Sequence, residues 1–179
     1  MEITIRESTE KDAEGIAKVH VTTWQSTYSD MADEEFLDNL KWEDRVEGWS
    51  DTLKNPKENV VNYVACSPEK VIGFLSGGKI RQPKGDYDAE LYAIYMLPEY
   101  QGKGIGKMLM LKFVEWLVVN GFDSLLVWVA EENKYKKFYS TIGGDLSPYT
   151  DQHKIGKTKH KIVAYTWDSF RELHNTLSS

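Results

Sequence analysis

Residues 91–107 read LYAIYMLPEYQGKGIGK and decide how the rest of the chain is interpreted. An alternating apolar run from Ala89 to Met96 predicts a strand that stops before Pro98. A glycine-rich turn follows, and a helical pattern begins at once. Glycines let backbone N–H groups turn towards a ligand, and a helix N-terminus leaves further donors unpaired. With two lysines beside them, these residues predict a binding loop for a diphosphate, built on Gly102, Gly104 and Gly106.

Two common phosphate-binding loops do not fit this segment. A dinucleotide-binding loop needs a third glycine three residues after Gly104, where the chain has Lys107. A nucleoside triphosphate loop needs glycine and a hydroxyl residue at positions occupied by Gln101 and Met108. A nucleotide-dependent oxidoreductase or kinase is therefore disfavoured.

Periodicity over the 179 residues predicts a mixed α/β domain around one sheet, with residues 1–179 as a single domain. The predicted order is β-α-α-β-β-β-α-β-α-(β)-β, followed by a short tail. The predicted strands are residues 3–8, 59–67, 70–80, 89–96, 124–130 and 161–167, and the predicted helices are residues 10–28, 36–53, 103–120 and 133–142.

The chain has 28 acidic and 22 basic residues, a net charge of −6, which argues against a nucleic-acid-binding protein. No apolar run is long enough for a membrane helix, and the charged start shows no secretory signal. With Cys66 as the single cysteine, these features predict a cytoplasmic protein. The four histidines show no metal-ligand spacing, so no metal is expected.

Three motifs together resemble the GNAT superfamily of N-acetyltransferases. The loop matches Q-x-x-G-x-G at residues 101–106, and residues 133–144 (NKYKKFYSTIGG) resemble the second family motif. The first helix, with His20, Trp24 and Tyr28 on one face, is similar to that of many bacterial members. The resemblance implies a mostly antiparallel sheet flanked by helices, splayed between strands 90–96 and 124–130.

The resemblance also implies acetyl-CoA as co-substrate. The pantetheine arm is expected to pair with the open edge of the strand near Ile94 and Met96, and the loop backbone is expected to hold the pyrophosphate. The complete set of expected acetyl-CoA contacts is Ile94, Tyr95, Met96, Gln101, Gly102, Lys103, Gly104, Ile105, Gly106, Lys107 and Asn133.

For catalysis, the resemblance implies Tyr139 as the general acid at the CoA sulfur and Glu90 as the general base. Tyr139 could instead be a packed aromatic residue, and Glu90 a solvated acid at a strand end. Asp86 and Asp88 are weaker candidates for the base. Trp24 and Tyr28 are expected to line the acceptor site, unless the aromatic stripe simply belongs to the core.

The expected reaction is direct transfer of an acetyl group from acetyl-CoA to a primary amine in a ternary complex. Residues 1–60 carry a net charge of −8 and residues 101–161 a net charge of +4, which favours a small cationic acceptor. The alternatives are a CoA-binding sensor without turnover, and a protein or peptide N-acetyltransferase. Dimers are frequent in similar proteins, so a homodimer is also considered.

Overall fold

The computed structural model describes residues 2–178, apart from the side chains of residues 171 and 172. Within this range, seven strands form one sheet that is flanked by six α-helices. The strands are β1 (Thr4–Glu7), β2 (Val60–Cys66), β3 (Val71–Lys84), β4 (Tyr87–Met96), β5 (Leu125–Ala130), β6 (Asp145–Ile155) and β7 (Thr158–Trp167). The helices are α1 (Ala13–Thr27), α2 (Glu34–Asp38), α3 (Glu43–Lys54), α4 (Ile105–Val119), α5 (Lys137–Thr141) and α6 (Phe170–Ser178).

The sheet has the strand order β1-β2-β3-β4-β5-β7-β6. All neighbouring strands are antiparallel except β4 and β5, which are parallel. The β4–β5 pairing ends at Leu91 opposite Val127, although β4 continues to Met96 and β5 to Ala130. The predicted fold class is therefore confirmed, including the separation of these two strands.

An extra residue in β4 lies next to the point where the two strands separate. Ser76 of β3 pairs with Ala93, but the next residue, Gly77, pairs with Leu91. Tyr92 therefore has no counterpart on β3 and forms a β-bulge. A bulge bends its strand and increases the local twist. A bend at this position fits the loss of β4–β5 pairing beyond Leu91.

Helices cover both faces of the sheet. Phe74 of β3 packs against Trp49 of α3, with ring centroids 5.0 Å apart. Three residues further along the strand, Gly77 faces the ring of Phe113 of α4. Because side chains alternate along a strand, α3 and α4 lie on opposite faces. The main core lies between the sheet and the helices α1, α4 and α6, with α3 packed against it by partly buried residues.

The β6–β7 hairpin reaches across to the segment that follows α1. Ile155 is buried in a small second cluster with Tyr28 and Leu37. The backbone N–H of Lys157 donates to Oδ2 of Asp33 over 3.1 Å. This contact holds the tip of the hairpin against the start of α2.

Three predicted elements differ from the structure. The single helix predicted over residues 36–53 is two helices, α2 and α3, because a turn interrupts the apolar pattern. The helix predicted over residues 133–142 is reduced to α5, since residues 131–136 form turns. The predicted tail is wrong: α6 is a helix that packs beside α4 through Leu173 and Leu177, both buried in the main core.

None of the helices in residues 2–178 combines the length and the apolar character needed to cross a membrane.

Candidate active site

A cavity of about 680 Å³ occupies the opening between β4 and β5. Its wall combines residues of α1, β4, β5, the glycine loop and the turn before α5, so segments distant in sequence meet there. Thirteen of the residues predicted from sequence line it: Trp24, Tyr28, Ile94, Tyr95, Met96, Gln101, Gly102, Gly104, Ile105, Gly106, Lys107, Asn133 and Tyr139. Lys103 and Glu90 are not among the lining residues.

The backbone of β4 presents unpaired groups to this cavity. The N–H of Leu97 donates to the carbonyl of Ile72 on β3 over 2.9 Å. Backbone groups alternate in direction along an antiparallel strand, so those of Tyr95 point towards β3 and those of Ile94 and Met96 point into the gap. The Met96 carbonyl already accepts a hydrogen bond from the Gln101 side chain over 2.9 Å. Both polar groups of Ile94 and the N–H of Met96 remain to pair with an extended ligand.

The glycine loop has the backbone geometry that the sequence predicted. Gly102 and Gly104 have φ values of +71° and +79°, a region that other residues rarely adopt. Apart from the glycine itself and its two chain neighbours, no described residue has an atom within 4 Å of a β-carbon built on either glycine, so the space beside the loop is open. Helix α4 starts immediately after the loop and has no side-chain cap at its N-terminus. Its free N–H groups and the adjacent lysines fit a diphosphate.

Tyr139 projects from α5 into the cavity and is half-buried. Its ring packs near Tyr165 and Trp167, with centroid distances of 5.7 and 6.5 Å. Burial raises the pKa of the Tyr139 hydroxyl, and the nearby Tyr95 raises it further. The hydroxyl therefore stays protonated at neutral pH, as a proton donor must.

The aromatic face of α1, with Tyr28 at its C-terminal end, forms another part of the cavity wall. The rings of Trp24 and Tyr28 meet edge to face at 5.0 Å. His20 stacks on Tyr95 of β4 at 5.4 Å and accepts a hydrogen bond from the indole N–H of Trp49 over 3.3 Å. Burial and the neighbouring Arg45 lower the pKa of His20 to about 4, so its ring is neutral at pH 7.

Glu90 lies beside the cavity in an ion pair that the sequence did not predict. Its side chain is 4% exposed and is bound by the Arg81 guanidinium through Nε and Nη2. The backbone N–H of Arg81 also donates to Oε2 of Glu90 over 3.1 Å. Arg81, which the sequence analysis did not single out, lines the cavity in place of Glu90. The role of Glu90 as a base stays a prediction.

Asn133 lines the cavity but uses its side chain locally. Its Oδ1 accepts a hydrogen bond from the backbone N–H of Tyr135 over 2.8 Å, which closes a turn. The side-chain amide group is the part of Asn133 left to contact a ligand.

Known proteins resemble this chain in sequence and in fold. The model of the Acetyltransferase (GNAT) family matches residues 19–143. An uncharacterized N-acetyltransferase, YuaI of Bacillus subtilis, is 33% identical over 178 residues, 98% of this chain and 99% of the relative. The spermidine N(1)-acetyltransferase of Thermoplasma acidophilum is 28% identical over 146 residues, 74% of this chain and 81% of the relative.

A solved structure has the same fold. The PaiA N-acetyltransferase of Thermoplasma acidophilum, crystallised in complex with coenzyme A, superposes with a TM-score of 0.70 at 23% identity. The superposition covers 93% of this chain and 100% of that one. With a family model that matches most of its length and a full-length relative at 33% identity, the chain belongs to the GNAT family of acetyltransferases.

Proposed function

We propose that this GNAT enzyme transfers the acetyl group of acetyl-CoA directly to a primary amine, with both substrates bound in the cavity between β4 and β5. The main supporting observation is that the opening of the sheet beyond Leu91 brings the glycine loop, the unpaired β4 backbone and Tyr139 to one cavity. A thioester is already activated, so the enzyme chiefly has to position the two reactants and handle two protons.

The residues present fit acetyl-CoA. The open loop at Gly102 and Gly104 and the N-terminus of α4 would hold the pyrophosphate, and Lys107 supplies positive charge there. The free backbone groups of Ile94 and Met96 would pair with the amide groups of the pantetheine arm. When bound, acetyl-CoA supplies the acyl group and a thiolate as leaving group.

We assign Tyr139 as the proton donor to the departing thiolate. Its hydroxyl lies at the cavity and its raised pKa keeps it protonated. A raised pKa makes the phenol a weaker acid, so the transfer requires that burial in the same desolvated site also raises the pKa of the departing thiolate.

The amine must lose a proton, since an alkylamine is mostly protonated at pH 7. Glu90 is the proposed base, acting through water, because the residue lies beside the cavity but does not line it. Both of its carboxylate oxygens contact Arg81, so Glu90 is held in one position.

The proposed acceptor is a primary amine, without a narrower class. The acidic excess of residues 1–60 favoured a small cationic amine, and one relative is named for spermidine. Most of those acids, however, lie at exposed positions, and no carboxylate is found among the described residues that line the cavity.

Amine-dependent release of CoA tests the proposal. We expect the purified chain to release free thiol from acetyl-CoA when a panel of primary amines is added, and much less without amine. Binding of acetyl-CoA without amine-dependent release would instead identify a CoA-binding sensor.

A further inference from the structure

The acceptor side of the cavity presents hydrogen-bond donors that form no good hydrogen bond with the described residues. Thr27 is 6% exposed and lines the cavity, and its Oγ1 has no partner within residues 2–178. Nε1 of Trp24 is also buried at this wall; it faces the side chain of Tyr95 but forms no hydrogen bond of good geometry within the same part of the chain. An indole N–H can only donate. A buried donor without a partner is costly, so a ligand oxygen is the expected partner.

The charged side chains of the wall also favour an oxygen-rich ligand. Among the described lining residues, the arginine and lysine side chains are those of Arg81 and Lys107, and there is no aspartate or glutamate. Lys107 belongs to the proposed pyrophosphate loop, which leaves Arg81 for the acceptor. A polyamine would bring additional ammonium groups to a wall that has no carboxylate to receive them.

Arg81 is held in an orientation that suits ligand binding. Glu90 fixes one edge of its guanidinium through Nε and Nη2, and the group lies over the ring of Tyr92, 4.6 Å from the centroid. The side chain is nevertheless 59% exposed, and Nη1 makes no hydrogen bond to any described residue. The remaining edge offers two parallel N–H groups, which match the two oxygens of a carboxylate.

We propose that the acceptor amine carries a carboxylate, as an amino acid does, and that Arg81 binds this carboxylate. The unpaired donors of Trp24 and Thr27 would serve oxygen atoms of the same molecule. This inference rests on the proposed function, because it names the substrate class of the same cavity. It predicts selectivity for amino carboxylic acids over polyamines.

The test compares matched sets of acceptors with the wild-type enzyme. Each set contains an amino carboxylic acid, its primary amide and the corresponding decarboxylated amine. The spacing between the amine and the carboxyl group increases from one set to the next. Spermidine is tested as a further acceptor. We expect kcat/KM for the acid to exceed that for its amide and its amine by about 10-fold or more in at least one set. Equal values within every set, or a preference for spermidine, would overturn the inference.

Variants then locate the recognition at Arg81. In Arg81→Gln the preference for the acid is expected to fall to about 2-fold or less, because the charged fork is lost. Arg81→Lys keeps a positive charge beside Glu90, so it is the second variant in case Arg81→Gln does not fold. We expect it to lose most of the preference for the acid as well. Lys79→Gln, an exposed change on the same strand outside the cavity wall, is the matched control and should keep the full preference. A preference that survives in both Arg81 variants would contradict the proposal.

The same assay distinguishes a wrong acceptor class from a wrong reaction. If amines without a carboxylate are acetylated equally well, the acceptor class is wrong but the acetyl transfer stands. If no amine promotes CoA release, the proposed function itself fails.

Discussion

The ring of Phe138 lies 3.4 Å from the position that a β-carbon on Gly106 would occupy. Gly106 belongs to the first turn of α4, next to the glycine loop, and Phe138 precedes Tyr139 on α5. The contact therefore joins the proposed pyrophosphate site to the helix that carries the proposed general acid. A disturbance at one of these residues is expected to reach the other.

Enlarging Gly106 tests this connection. In Gly106→Val the added methyl groups must displace Phe138, so we expect kcat to fall about 10-fold and the KM for acetyl-CoA to rise, as misplacement of reacting groups is costly. Gly106→Ala is the control, because 3.4 Å is close to an ordinary van der Waals contact. Steady-state kinetics of both variants, with melting temperatures to verify folding, provide the measurement. Equal kinetics of the valine variant and the wild type would show that the two segments are not coupled.

Removing the Tyr139 hydroxyl tests the general acid. We expect Tyr139→Phe to lower kcat about 10²-fold, with little change in acetyl-CoA affinity measured by calorimetry. Because the pKa of Tyr139 is raised, the wild type should show no loss of rate from deprotonation of this group between pH 7 and pH 10. Tyr165→Phe is a matched control, since its ring is 5.7 Å away and Tyr165 does not line the cavity. If turnover by Tyr139→Phe is unchanged, Tyr139 is a packing residue.

Neutralising Glu90 tests the general base. A base acts in its deprotonated form, so kcat/KM of the wild type should fall as the pH is lowered. We expect Glu90→Gln to reduce kcat/KM about 10²-fold at pH 7 and to remove that acidic limb. Asp86→Asn, at an exposed position, is the control. If kcat/KM of Glu90→Gln still falls at low pH as in the wild type, Glu90 is not the base and only positions Arg81.

The buried imidazole of His20 should make stability depend on pH. Its pKa is about 4 in the folded chain, below the ordinary value near 6.5, so only the unfolded state gains a proton as the pH falls below about 6.5. Stability from this group is complete above pH 6.5 and is lost as the pH falls towards 4. We expect a loss of about 1–2 kcal/mol between pH 7 and pH 5.

Urea unfolding of the wild type and of His20→Gln, compared at pH 7 and pH 5, measures this loss. Glutamine keeps a hydrogen-bond acceptor for Trp49 but does not titrate in this range. The variant should lose less stability on acidification than the wild type. The same pH dependence in both proteins would assign it to other groups.

The sequence predicted the parts of the site that depend on neighbours in the chain. The loop around Gly104 and the start of α4 follow from local backbone preferences, and the motif containing Phe138 and Tyr139 is a short segment. These features were found at the predicted positions because their geometry is largely set within about ten residues.

Other features could not be derived, because they depend on tertiary contacts. The Arg81–Glu90 pair is formed across a hairpin, and no periodicity distinguishes Arg81 from an ordinary exposed arginine. The bulge at Tyr92 appears only when the register of β3 and β4 is known. Helix α6 did carry a signal, since Phe170, Leu173 and Leu177 have helical spacing, but the segment was too short to be assigned from periodicity alone.

The docking of the β6–β7 hairpin on the start of α2 has a consequence for the timing of folding during synthesis. Tyr28 and Leu37 share their small apolar cluster with Ile155, and Asp33 is bound by Lys157. This wall of the proposed acceptor site therefore cannot be completed until the hairpin has left the ribosome. We expect nascent chains that end before the hairpin to leave this region open to proteases, even where α1 has already formed.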